Sequence, residues 1–131
     1  MIGLDTNVLV RFFAQDDLPQ HRQADAIMSS LSVTEPGWMA LAALMELVWV
    51  MRRIYRFDRS GVIHILDNLL SRKEIVVELD DNVREALRLY RSGNTDFPDC
   101  LIASSARAAG CSRTVTFDRR AARASGMQLL E

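Results

Sequence analysis

Short apolar or β-branched runs alternate with helix-length segments along this chain, and no two of the runs stand close enough to be joined as a hairpin. Antiparallel strands can be linked by a two-residue turn, whereas parallel strands need a crossover of a dozen or more residues. The spacing therefore predicts an α/β fold, with a mostly parallel central sheet of about four to five strands flanked by helices. A chain of 131 residues, 49% of them hydrophobic, is expected to form one domain over residues 1–131. A domain of that size buries roughly two thirds of the surface its unfolded chain exposes.

Residues 1–4 read as a buried strand, and Asp5, Thr6 and Asn7 supply N-cap chemistry for a helix reaching residue 15. Residues 18–31 read as a second helix with Pro19 in its first turn. Residues 32–35 suit a short strand, and Pro36-Gly37 breaks the pattern before an apolar helix over 40–55 and another over 59–70. Residues 74–79 are β-branched and strand-like, followed by a helix that Asp80 or Asp81 caps and Gly93-Asn94 ends. Pro98 sits in the first turn of a helix stopped by Gly110. A strand over 113–117, a short helix capped by Asp118 and stopped by Gly126, and a strand over 127–130 complete the order.

Composition removes several classes. Acids (17) and bases (16) nearly cancel, so no overall basic field exists to hold nucleic acid non-specifically. The bases are all Arg except Lys73, which favours bidentate recognition of phosphate or carboxylate over Schiff-base chemistry. Cys100 and Cys111 have neither metal-type spacing nor partners for a disulfide framework, which suits a reducing cytoplasm. The first residues lack the basic and apolar regions of a signal peptide, and the longest apolar run, 38–51, is too short to span a bilayer and contains Glu46. A cytoplasmic protein with no membrane association is expected.

Four carboxylates carry the functional signal: Asp5, Glu46, Asp99 and Asp118 lie in or beside apolar segments far apart in sequence. Ligand sites of open parallel sheets form beyond the carboxyl ends of the strands, where Asp5 and Asp118 both fall. Asp99 shares a helical face with Ile102, Ala103 and Ala106, and is expected to face the core. Glu46 has Ala42, Ala43, Trp49 and Val50 as helical neighbours, so it too is expected to point inward. Capping alone explains Asp5, Asp118 or Asp99 taken singly, but a mid-helix Glu has no such explanation. Unpaired buried carboxylates cost several kcal/mol each, and a divalent cation is the simplest shared partner. All-oxygen ligands suit Mg²⁺ or Mn²⁺ better than zinc, and His21 and His64, on separate helices without an i+4 partner, read as surface residues. Such a site can activate water and neutralise a phosphoryl oxygen, which points to phosphodiester hydrolysis.

The motifs Leu4-Asp5-Thr6-Asn7, Leu44-Met45-Glu46-Leu47-Val48-Trp49-Val50-Met51, Asp96-Phe97-Pro98-Asp99-Cys100-Leu101-Ile102-Ala103 and Val115-Thr116-Phe117-Asp118-Arg119 stand in an order and spacing that resemble those of PIN-domain ribonucleases. Within them they resemble the VapC-type toxins of bacterial toxin–antitoxin pairs. The resemblance implies a PIN-like fold and Mg²⁺- or Mn²⁺-dependent RNA cleavage by activated water, often at a tRNA or rRNA site. It also implies a homodimer and a small VapB-type antitoxin as partner. Asp5, Glu46, Asp99 and Asp118 become the acidic metal site, with Asp96 near enough to assist or simply to cap its helix. Thr6, Asn7 and Thr116 become groups that orient carboxylates and waters. Arg119 and Arg120, with Arg123, form a basic stretch that serves equally as a solvated face or as an RNA contact, as do Arg52, Arg53, Arg56 and Arg59.

Two other readings compete. A phosphotransfer or phosphohydrolase enzyme also places an Asp after its first strand, but needs a Lys to neutralise the phosphate, and Lys73 stands at the wrong place in the strand order. A non-catalytic PIN-like binding module would keep the fold without the chemistry.

Overall fold

Parallel pairing is what the spacing requires, and every strand of the computed structural model runs parallel to its neighbours. The structure describes residues 1–131, the side chains of 124 and 125 excepted. It divides into two units, Met1–Glu78 and Leu79–Glu131.

The first unit runs β1 (Ile2–Gly3), α1 (Thr6–Phe13), α2 (Leu18–Ser30), β2 (Gly37–Met39), α3 (Leu41–Arg53), α4 (Arg59–Ser71) and β3 (Ile75–Val77). Its strands form a sheet in the order β1-β2-β3, with Ile2 opposite Gly37 and Gly37 opposite Ile75. The second strand begins where the sequence reading placed a break. Residues 32–35 form a turn instead, closed by Ser32 N–H donating to the Glu35 carbonyl (3.1 Å) and Glu35 N–H to the Ser32 hydroxyl (3.1 Å). Pro36 lacks an N–H but its carbonyl accepts from Ile2 (3.0 Å), so it fits the position just before the strand. Gly37 leaves room for two leucines: a Cβ there would lie 2.8 Å from Leu4 Cδ1 and 2.9 Å from Leu31 Cδ1, and both side-chain ends would have to shift.

Helix α3 positions part of the candidate site. Ala40, at its N-cap, has no side chain to cap with, and the Glu78 carboxylate accepts from Leu41 N–H instead (2.8 Å). Ala43, Leu44, Leu47, Val48 and Met51 form its buried stripe, joined in the core by Leu9 of α1 and by Val62, Ile65, Leu66 and Leu69 of α4. Each fully buried Leu or Ile contributes roughly 1.5–3 kcal/mol of transfer free energy.

The second unit runs α5 (Asp80–Ser92), α6 (Phe97–Ala108), β4 (Val115–Thr116), α7 (Arg119–Ser125) and β5 (Gln128–Leu129), with β4 and β5 paired in a two-stranded ladder. Val83, Ala86, Leu87 and Tyr90 are the buried face of α5, which packs on α6. Tyr90 meets Phe97 edge to face, ring centroids 5.7 Å apart, and the Ser104 hydroxyl donates to the Asn82 carbonyl (3.3 Å). Ala103, Ala121 and Met127 tie α6, α7 and the final strand together. Gly110 and Gly126, at φ 93° and 79°, end α6 and α7 in the left-handed region that glycine enters without strain. The expected α/β class is met by short parallel strands with long helical crossovers. Among the described residues, no helix is long and apolar enough to cross a membrane.

Candidate active site

In the first unit, Asp5 leaves β1 in extended conformation (φ −77°, ψ 158°) at the N-cap position of α1, yet its side chain makes no capping hydrogen bond. Its carboxylate is exposed. The expected capping role is therefore taken by position only. Thr6, the next residue, is buried at 3% exposure, whereas Asn7 faces solvent.

Glu46 is also exposed, contrary to its expected inward position. The Leu-rich stripe of α3 takes the core, and Ala42, Glu46, Trp49 and Arg53, at i, i+4, i+7 and i+11, occupy the opposite face. Trp49 is 55% exposed there, so of the apolar neighbours that seemed to bury Glu46, Ala42 and Trp49 stand in solvent beside it while Ala43 turns to the core. Glu46 lines an open groove of about 220 Å³ together with Thr6, Asn7, Arg11 and Tyr55. Two of the orienting residues expected from the sequence thus share a groove with one of the expected acids.

Arg11 and Tyr55 are members of this groove that sequence reasoning missed. The Arg11 guanidinium donates to Gln20 (2.7 Å) and to Asp16 (2.9 Å), and the Tyr55 hydroxyl donates to the other Asp16 oxygen (2.8 Å). The Tyr55 hydrogen bond, with Arg11 beside it, holds the Asp16 carboxyl below its ordinary range, and the same bond pushes the Tyr55 phenol up. His21 faces the Arg11 carbonyl through Nδ1 (2.8 Å). These contacts join residues up to 44 positions apart, and no local pattern announces them.

In the second unit, Asp99 is half-buried in the first turn of α6, and its Oδ2 accepts from the Thr95 hydroxyl (3.0 Å). Ile102, on the face expected to be core, is 54% exposed, while Ala103 is buried at 5%, so Asp99 stands at the edge of the core. Thr95, at 2% exposure, was missed; its place four residues before Asp99 was the available signal. Asp96 holds the N-cap position of α6 without a side-chain capping bond. Asp118, exposed, does cap: its Oδ1 accepts from Arg120 N–H (2.8 Å) and Ala121 N–H (3.3 Å). The Thr116 hydroxyl accepts from Asp118 N–H (3.0 Å), fixing the turn that presents the carboxylate.

The premise of buried acids is thus corrected: Asp5, Glu46 and Asp118 are exposed and Asp99 half-buried. Short carboxylates at helix starts and on the open face of an apolar helix escape burial without needing a partner. Among the described residues, no group of three or more His, Cys, Asp or Glu side chains is gathered to hold a metal ion. The donors are nonetheless of the kind a hard cation takes: carboxylate oxygens only, with Asp5 uncommitted as a cap.

The family model for the PIN domain matches residues 2–127. The chain belongs to the PIN-domain family. It is similar to a protein named VapC ribonuclease from Aquifex aeolicus (strain VF5), 28% identical over 118 residues that cover 89% of this chain and 87% of that one. A crystal structure of VapC20 of Mycobacterium tuberculosis, described as a sarcin–ricin loop cleaving toxin, matches 95% of both chains at 17% identity and a TM-score of 0.47. The family read from the four motifs is the one the PIN-domain match gives.

Proposed function

We propose that this PIN-domain chain is an endoribonuclease that hydrolyses RNA phosphodiester bonds with a divalent cation, Mg²⁺ or Mn²⁺, and acts in the cytoplasm as the toxin of a toxin–antitoxin pair. Its partners in this reading are a tRNA or rRNA substrate, a VapB-type antitoxin and a second copy of the chain. The two units act as one domain, a reading supported by a family match that runs through both. The observation that carries the activity is the family membership together with an intact set of four acids on the motifs that bear them.

In this reading Asp5, Glu46, Asp99 and Asp118 hold the cation, which when bound supplies activation of water and neutralisation of phosphoryl charge. Thr95 fixes one oxygen of Asp99 by donating to it, and Thr116 fixes the backbone of Asp118. Thr6 and Asn7 line the groove that Glu46 also lines, where they orient the acid and its waters. Lys73, in the turn before β3, is exposed and belongs to no such cluster, which leaves the phosphotransfer reading without its cation.

Replacing Asp5 or Asp99 with Asn preserves shape and removes charge, so cleavage of total RNA should fall by orders of magnitude while the fold survives. Asp96→Asn should lose far less. A dead Asp96→Asn beside an active Asp99→Asn would reverse the assignment of these two residues, and no RNA cleavage by the parent with either metal would overturn the function itself.

A further inference from the structure

A cleft of the second unit, about 530 Å³, is lined by Ser92, Gly93, Asn94, Arg120 and Arg123. Its lining brings two guanidinium groups together with a hydroxyl, an amide and the backbone of a glycine, and among the described residues includes no acidic side chain. Arg120 and Arg123 enter no ion pair or side-chain hydrogen bond among the described residues, whereas the Arg72, Arg84, Arg88 and Arg107 side chains are each paired to a carboxylate. Two unneutralised guanidiniums repel one another across a cleft, and an anion between them relieves that repulsion.

Both walls of the cleft continue directly into candidate acids. Asn94 is followed by Thr95, whose hydroxyl holds Asp99, and by Asp96. Arg120 gives its backbone N–H to Asp118 Oδ1 at 2.8 Å. A polyanion seated between these walls would therefore run beside carboxylates that have a proposed part in the chemistry.

We propose that this cleft holds the RNA backbone, with Arg120 and Arg123 on phosphate oxygens and Ser92 and Asn94 donating to phosphate or ribose. The proposal rests on the nuclease reading. It separates Arg120 and Arg123, which line the cleft, from Arg119, which does not. The two arginines are positioning residues: they set where the chain lies, and the acids act on the bond. Base identity is not read here, because phosphate contacts carry no sequence information.

The test compares the parent full-length chain, the double substitution Arg120→Gln/Arg123→Gln, and Arg22→Gln/Lys73→Gln, which removes two exposed cations of the first unit. Fluorescence anisotropy with labelled single-stranded RNA in chelator reads binding without turnover, and Mg²⁺-supported cleavage reads KM and kcat. The cleft pair should weaken RNA binding by about tenfold or more at low salt and lower the slope of log affinity against log salt by roughly 1.4, two charges at about 0.7 each for single strands. KM should rise with kcat little changed, and the control pair should do neither. Equal losses in both pairs would overturn the cleft in favour of diffuse surface charge. Parent-like binding by the cleft pair, with cleavage intact in the parent, would overturn the cleft and leave the nuclease reading standing. Loss of binding by the cleft pair alone, in a parent that cleaves nothing, would support an RNA cleft and overturn the nuclease reading.

Discussion

Asp118 caps α7 and, in the proposed function, also holds the cation, and a pair of substitutions separates the two. Its Oδ1 accepts two first-turn N–H groups of α7. Asn caps about as well as Asp, whereas Ala leaves those donors without an acceptor at a cost of about 1 kcal/mol. Asp118→Ala should therefore lower the melting temperature by a few degrees and abolish RNA cleavage, while Asp118→Asn should keep the melting temperature and still lose cleavage. Full activity in Asp118→Asn, read beside thermal melts of both variants, would assign this carboxylate to capping alone. The capping of α7 was legible because it is local, an Asp directly before a helix. The exposure of Glu46 was not legible: neighbours at i−4 and i+3 identify who shares its face but not whether that face meets the core.

Element positions followed from turn chemistry and periodicity, with one exception of physical interest. Pro36-Gly37 reads as a break, yet a strand opens at Gly37, because Pro36 lends its carbonyl to β1 and Gly37 makes room for Leu4 and Leu31. Contacts between elements were not legible, and the link between the α1–α2 connection and the end of α3 is the clearest case. There Tyr55 donates to Asp16, which also accepts from Arg11. The Asp16 carboxyl is held below its ordinary value, so its contribution is present above an ordinary Asp pKa and is lost as pH falls through the depressed one. The Tyr55 phenol is raised, so its contribution is present below an ordinary Tyr pKa and is lost as pH rises through the raised one. The parent should then melt above Tyr55→Phe between roughly pH 4 and pH 10, with the two converging beyond both ends. A melting difference that persists undiminished at pH 2 would show that the link is not this ionic hydrogen bond.

At the level of the whole chain, the four acids divide two and two between the units, Asp5 and Glu46 in the first, Asp99 and Asp118 in the second. In the proposed nuclease all four acids take part, and Glu46 is the one that stands away from a helix end. It caps nothing, stands mid-helix, and is exposed on a face with Trp49. Substitution at such a site changes stability by no more than about 0.5 kcal/mol, so loss of activity there cannot be loss of fold. The decisive measurement is cleavage of total RNA by the parent and by Glu46→Gln, each with Mg²⁺ or Mn²⁺ and again with chelator, beside their melting temperatures. The parent should cleave with metal and stop in chelator, while Glu46→Gln should melt like the parent and lose about a hundredfold or more in rate. Parent-like cleavage by Glu46→Gln, or cleavage by the parent that persists in chelator, would contradict a metal-dependent nuclease built on these acids.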